Sequence, residues 1–426
     1  MTDKDLSDNA GSPFSRTAQH GAKRAAILSQ ASRLFNLRGS RSTTLLDIAG
    51  SLGLTKTSLY YYVKTKEELI FQCYLSALDK QMRGLDQIEK RHRSGLERLQ
   101  AVYRDHFFDC REALEGRRTH RAALLEIASL KGRRRHQVEQ QYIQLFLRIR
   151  RFVQEGIAEG SIRPVESSAV TLCLIGSLQW TFNWIRTVPP ERLDAVGEAA
   201  CDLLVNGLIP QSAQYRFGDF DFSALYGSSG LQGFDRKSQN QMKQDAFYKT
   251  ATRFFNERGF AGAALDEIAE TLEVTKGAFY YHIKNKEDLL YNCYQRSLEM
   301  ARRQYDAARV CSSGLERLDY VCRAAFHVQN SFDGPMIRYN SITALPAPRR
   351  RKIVAATEAL NNRFGQTLRD GIEDGSVRNV DVETTQELIS SAINASMDLP
   401  MWRKMEDVDQ ASREYFDCFF NGLKPR

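Results

Sequence analysis

The sequence contains no run of eighteen apolar residues, so no membrane-spanning helix is expected. Its first twenty residues, MTDKDLSDNAGSPFSRTAQH, have no apolar core. They are expected to form a polar tail rather than a secretion signal, and the expected location is cytoplasmic. The eight cysteines make no CxxC pair, which points to reduced and mostly buried thiols. The seven histidines make no HxxxH or HExxH, so no metal site is expected. A Walker loop, a GxSxG elbow and a defined pair of catalytic carboxylates are also missing, so neither an enzyme nor a cofactor is expected. No convincing strand pattern occurs anywhere, which leaves an all-α fold.

What is present is length and repetition. At 426 residues the chain exceeds one hydrophobic core, so at least two domains are expected. A net charge of +8 fits an anionic partner such as nucleic acid, although many proteins without one look the same. ASRLFNLRGS (31–40) reappears as ATRFFNERGF (251–260). LTKTSLYYYVKTKEEL (54–69) reappears as VTKGAFYYHIKNKEDL (274–289), with eight of sixteen positions identical at an offset of 220. SGLERL (94–99) recurs at 313–318, and Arg133–Arg135 recurs as Arg349–Arg351. EGIAEGSIR (155–163) recurs as DGIEDGSVR (370–378), and VNGL (205–208) as FNGL (420–423), both at an offset of 215. Ordered matches with a slowly drifting offset indicate a duplicated whole domain with small loop deletions.

The linker between the copies, 210–240, is rich in Gly, Ser, Gln and Asp. It also carries Phe220, Phe222, Leu225 and Tyr226, so part of it is expected to dock. Within each copy the apolar spacing is helical. Ile27, Ala31, Leu34 and Phe35 share one face, and Phe247, Ala251, Phe254 and Phe255 repeat it. Segments 94–110, 122–130, 137–159 and 166–186 show the same period and are expected to be helices.

The region from Thr44 to Val63 reads as two short helices. Thr44 with Asp47 suits a helix start, Gly53 a left-handed turn, and Thr55 a second start. Thr65 with Glu68 reads as a capping box for the next helix, and Asn285 with Asp288 repeats it. This pattern, TTLLDIAGSLGLTKTSLYYYVKTKEEL, resembles the N-terminal DNA-binding domain of TetR-family regulators. The resemblance is strong over 23–75 and 243–295. Beyond them it rests on length and helix count. It implies helix-turn-helix domains at 21–66 and 241–286, and helical regulatory domains at 67–209 and 287–426, with a tail at 1–20.

It further implies that the second short helix of each copy lies in the major groove of double-stranded operator DNA. The DNA-contacting candidates are then Thr44, Thr55, Lys56, Thr57, Ser58, Tyr60, Tyr61 and Lys64. In the second copy they are Thr275, Lys276, Gly277, Tyr280, Tyr281 and Lys284. Hydroxyls, helix N-termini and lysines suit phosphate, and short polar side chains can read base edges. One tyrosine of each pair is equally well placed to pack in the core. The copies differ: Thr44 becomes Ala264, Gly53 becomes Glu273, and Thr57, Ser58 and Tyr62 become Gly277, Ala278 and His282. Two non-identical half-sites are therefore expected.

Family members dimerise through their last helices, so the resemblance implies a pseudo-dimer within one chain, with 166–186 and 191–208 against 383–402 and 406–423. A further homodimer is the alternative. The central helices would enclose a hydrophobic or amphipathic small-molecule effector. Candidate lining residues are Phe107, Phe108, Leu125, Trp180 and Trp184, then Phe326, Met336, Met397 and Trp402; each reads equally well as an ordinary core residue. The arginine runs read either as solvated faces or as a handle for an anionic ligand, such as a phosphate-bearing thioester, or for DNA. The expected function is a ligand-released transcriptional repressor. The alternative is an architectural or co-regulator protein without an effector.

Overall fold

The structure, a computed structural model, describes residues 16–210, 214–222, 236–331 and 334–426. Among them there is no strand, and no helix is long and apolar enough to cross a membrane. The first half comprises α1 (Arg16–Arg38), α2 (Leu45–Ser51), α3 (Lys56–Tyr62), α4 (Lys66–Arg91), α5 (Gly95–Leu114), α6 (Gly132–Glu159), α7 (Ser167–Gln179), α8 (Thr181–Trp184) and α9 (Leu193–Asn206). The second comprises α10 (Arg236–Gly262), α11 (Leu265–Thr271), α12 (Lys276–His282), α13 (Lys286–Ala307), α14 (Gly314–Gln329), α15 (Ala347–Glu373), α16 (Val382–Ala395) and α17 (Val408–Asn421). Residues 16–20 and 236–240, expected in the tail and linker, are helical. Residues 1–15 of the expected tail lie outside the described residues.

The predicted apolar stripe of α1 is buried at Ile27, Ala31, Leu34 and Phe35. It packs with Ile48, Ala49, Leu59 and Val63 into a small three-helix core. The expected helix 122–130 does not form. Asn36 of α1 captures this segment instead. Its Nδ2 donates to the Arg121 carbonyl at 2.8 Å, and its Oδ1 accepts the Ala123 N–H at 2.9 Å. Backbone groups satisfied by a side chain have no need of a helix. Only a short turn at Ile127–Ser129 remains. Asn256 repeats the clamp on the Met336 carbonyl and the Arg338 N–H.

α7 is apolar all round, and eleven of its thirteen residues are buried. It crosses α16 at Gly176, where a side chain would collide with Ala395. The Cys173 and Cys418 sulfurs lie 3.6 Å apart across the same junction between the halves. All eight cysteines are free, and seven of them are buried.

The repeated EGSIR and NGL motifs meet each other reciprocally. Arg163 pairs with Asp417 at 2.5 Å and donates to the Gly422 carbonyl at 2.7 Å. Arg378 pairs with Asp202 at 2.6 Å and donates to the Gly207 carbonyl at 2.6 Å. The Arg163 N–H donates to Leu423, and the Arg378 N–H to Leu208. Gly207 and Gly422 stand back to back with φ of +68° and +70°. A Cβ on either would strike the other's backbone, so only glycine fits.

Linker residues 214–222 run across α14, and Phe222 is buried. Tyr215 Oη and the Gly218 N–H both donate to Asp319 at 2.8 Å. Arg323, with no exposed surface, donates to the Gly218 carbonyl at 2.7 Å. Its guanidinium sits 5.4–5.8 Å from the ring centres of Phe217, Phe220 and Phe222. Leu225 and Tyr226 lie outside the described residues.

Candidate nucleic-acid interface and internal cavities

In the first half Thr44 caps α2 within a reciprocal box. Its Oγ1 accepts the Asp47 N–H at 3.1 Å, and Asp47 accepts the Thr44 N–H at 2.7 Å. Gly53 takes φ +65° at the turn. Thr55 caps α3 by accepting the Ser58 N–H at 3.1 Å. Thr65 also accepts the Glu68 N–H, but Glu68 itself reaches back to the Lys64 N–H, one residue beyond the expected box. Thr44, Thr55, Lys56, Thr57, Ser58, Tyr61 and Lys64 are all exposed, and Tyr60 is half-buried. Leu59 fills the core position, so neither Tyr60 nor Tyr61 is needed there. Lys56 Nζ stands 5.7 Å over the Tyr60 ring, and Lys64 Nζ reaches the Tyr60 carbonyl.

The second copy holds the same frame under more constraint. Thr275 caps α12, but Ala264 gives α11 no side-chain cap. Glu273 occupies the turn with φ 54°, among the described residues the one non-glycine with positive φ. Thr275, Lys276, Gly277, Tyr280, Tyr281 and Lys284 are exposed, and Phe279 takes the core position. Lys276 pairs with Asp266 at 2.6 Å, and Tyr280 Oη donates to the same carboxylate at 3.3 Å. At the equivalent place the first copy has Leu46, which is exposed. The hydrogen bond from Lys276 holds Asp266 below the usual carboxylate range.

The arginine runs act in part as struts. Arg134 pairs with Glu67 at 3.7 Å and lies over Phe71, tying the start of α6 to the start of α4. Arg349 repeats this on Asp288 and Tyr291. Arg135 pairs with Glu139.

A cavity of about 340 Å³ opens between α4, α5, α6 and α7 of the first half. Of the aromatic candidates, Phe108 lines it. Phe107 is buried against Gly197 and Trp184 and reaches no such space. Trp184 borders a smaller cavity of about 190 Å³ beside α16. Leu125, Trp180, Met397 and Trp402 line a different cavity of about 570 Å³ between the halves. Trp402 stacks on Phe146 there at 3.6 Å. Phe326 is fully buried against Tyr415 and Phe416, an ordinary core position. Met336 is half-buried, with its main chain held by Asn256 and Gln329.

The sequence reading missed the polar end of the first cavity. Arg121 Nη2 lies 2.6 Å from His106 Nδ1, and His106 Nε2 lies 2.6 Å from Thr181 Oγ1. Burial, reinforced by the Arg121 charge, pushes His106 well below its usual pKa. Guanidinium has no acceptor, so Nδ1 must be bare and the proton must sit on Nε2. The Thr181 hydroxyl in turn donates to the Leu178 carbonyl at 2.7 Å. A single histidine on an apolar helix face gave no sign of this in the sequence.

Two family profiles match the chain, each twice. "Bacterial regulatory proteins, tetR family" covers residues 27–73 and 247–292. "Tetracyclin repressor-like, C-terminal domain" covers 92–208 and 311–402. The chain belongs to the TetR family. It is a tandem arrangement of two TetR units, and its relatives are transcriptional regulators, which bind DNA and are not enzymes. The HTH-type transcriptional repressor KstR2 of Mycolicibacterium smegmatis is 27% identical over 198 residues, 45% of this chain and 93% of that protein. The Escherichia coli transposon Tn10 TetC protein is 47% identical over 51 residues, 12% of this chain and 26% of that protein. Among solved structures, the TetR family transcriptional regulator PfmR from Thermus thermophilus is 25% identical with a TM-score of 0.36, covering 42% of this chain and 95% of that one. AibR in complex with isovaleryl coenzyme A and operator DNA is 22% identical with a TM-score of 0.36, covering 42% and 97%.

Proposed function

We propose that one chain serves as the whole operator-binding unit, a TetR-type repressor whose halves form an intramolecular pseudo-dimer. The observation that carries this reading is the reciprocal exchange of Arg163 onto Asp417 and Gly422, and of Arg378 onto Asp202 and Gly207. An exchange of equivalent contacts is what a twofold dimer interface makes between separate chains. Here α7, α9, α16 and α17 supply both sides, which leaves one helix-turn-helix unit in each half to meet successive major grooves. The surfaces of α3 and α12 differ in sequence and in charge pairing, so the two half-sites differ. A ligand in the first-half cavity, walled by α4 and the segment held by Asn36, would shift one head and release the DNA.

Light scattering on the free protein and on its operator complex tests this. One chain of 48.6 kDa per operator, together with footprints over two unlike half-sites, is expected. Two chains per operator, or tightest binding to a perfect palindrome, would overturn it.

A further inference from the structure

We infer that the first-half cavity takes an apolar monocarboxylate, with Arg121 as its counter-ion, and that the second half has lost this site. The inference rests on the effector reading above and gives it a chemical class.

The wall of the cavity is apolar at Leu85, Ile88, Leu145, Ile149, Ile175 and Leu178. Its volume is at the small end of the range for ligand sites. Charge is concentrated at one end. Lys80 and Arg118 share the single carboxylate of Asp109. Arg91 and Asp105 are both exposed at the rim. Arg121 is different: it is half-buried, and among the described residues its polar partner is a neutral histidine. A guanidinium held in an apolar wall without an anion is costly, and supplying the anion recovers that cost.

The His106–Thr181–Leu178 chain fixes the orientation of this group. Only one guanidinium N–H is used on His106, so the rest of the fork remains for a planar, bidentate partner. The open fork of Arg121, a half-buried cation with no acidic partner among the described residues, matches one carboxylate. A cationic ligand meets Arg121 head-on.

The second half lacks this constellation. The equivalent asparagine clamps align Arg121 with Met336. The Ser94 and Ser313 caps align His106 with Ala325, and the Glu166 and Asp381 caps align Thr181 with Ser396. The arginine and the histidine are thus lost, while Ser396 keeps the hydroxyl and its bond to the carbonyl three residues back. Gly84 and Leu85 become Gln304, which is buried, and Tyr305, which is half-buried. The larger side chains project from the helix equivalent to the one that walls the first cavity.

Calorimetry on the full chain with decanoate, methyl decanoate and decylamine tests the inference, with DNA release followed in parallel. Decanoate should bind once per chain. The ester and the amine should each bind at least about tenfold more weakly, as lost charge-assisted hydrogen bonds require. Arg121→Met should lose about the same factor for decanoate, and Met336→Ala should lose nothing. Equal binding of ester and acid, two sites per chain, unaltered binding by Arg121→Met, or no decanoate binding would each overturn the inference. Decanoate binding without DNA release would instead sink the effector reading and leave the ligand class standing. Release by the neutral ester would do the reverse.

Discussion

Lys276 of the second reading helix is held by Asp266 at 2.6 Å, whereas Lys56 of the first has no acidic partner among the described residues. The same cation is therefore free for phosphate in one head and must first leave a carboxylate in the other. Both side chains are exposed, so the pair contributes little to folding, and its expected effect is on DNA affinity. Asp266→Leu copies the first head. It should tighten operator binding and steepen the dependence of log affinity on log salt by about one unit, the contribution of one phosphate contact. Fluorescence anisotropy across a salt series measures this. An unchanged slope would mean that Lys276 does not face phosphate.

The second head also folds at a local cost. Ala264 caps nothing, and Glu273 takes φ 54° where the first head has Gly53. Ala264→Thr should stabilise this head by about 1 kcal/mol through a new cap. Glu273→Gly should add a similar amount, about 1 kcal/mol, by relieving the left-handed backbone. Hydrogen exchange of α11 and α12 reports on the head itself rather than on the whole chain. Faster exchange in either variant would contradict this account.

What could be read in the sequence follows from range. The caps at Thr44 and Thr55 and the left-handed turn at Gly53 are set within four residues, and they stand where the local pattern put them. Segment 122–130 has helical spacing but does not form a helix; Asn36, 85 positions away from Arg121, instead holds its start through the Arg121 carbonyl and the Ala123 N–H. Phe107 and Phe108 are adjacent in sequence, and only the position of α9 decides that Phe107 packs on Gly197 while Phe108 faces the cavity. The repeats at 155–163 and 370–378 were visible as repeats. Their purpose appears only when Arg163 and Arg378 reach the opposite half. The linker aromatics announced docking, but their seat on the buried Arg323 depends on α14 and α17.

The reciprocal clamps are equivalent in contact but not in burial. Asp417 is 19% exposed and Asp202 is 45% exposed. Removing an arginine leaves its acid and carbonyl partners unmatched, and that penalty grows with burial. Arg163→Met should therefore destabilise the chain by about 2–4 kcal/mol. Arg378→Met should cost less, about 1–2 kcal/mol. Denaturant unfolding followed by near-UV signals can rank them, and an inverted order would show that burial of the acid does not set the cost.

His106 makes stability depend on pH with a definite sign. Its folded pKa lies well below the ordinary value, because burial and Arg121 disfavour a second positive charge. The unfolded chain therefore takes up a proton near pH 6.5 that the folded chain refuses. Stability should be level above about pH 7 and should fall as pH drops below about 6.5. His120 and His327 are shifted down by burial in the same direction and add to the slope. His106→Ala should flatten the wild-type slope without abolishing it. Melting temperatures at several pH values from about 7 downwards through 6.5 measure the difference, and identical slopes would place the proton uptake elsewhere.

Asn36 links the cavity to the first reading head in a single side chain. Its amide grips the backbone of Arg121 and Ala123, and both residues line the cavity. Its own helix, α1, packs on α2 and α4 beneath the reading helix. Any change at the cavity wall that moves Arg121 therefore pulls on α1 through two hydrogen bonds. Asn36→Ala removes both and leaves a main-chain carbonyl and N–H to find water. It should cost about 1–3 kcal/mol and raise hydrogen exchange over 119–126. Operator affinity without ligand should change little, because no DNA-facing side chain is altered. Coupling should suffer instead: a ligand that weakens DNA binding of the parent protein should weaken that of the variant less. Asn256→Ala makes the same cut in the half that lacks Arg121 and His106, so it should leave coupling near the parent value. Equal loss of coupling in both variants would mean that the signal does not run through the first clamp.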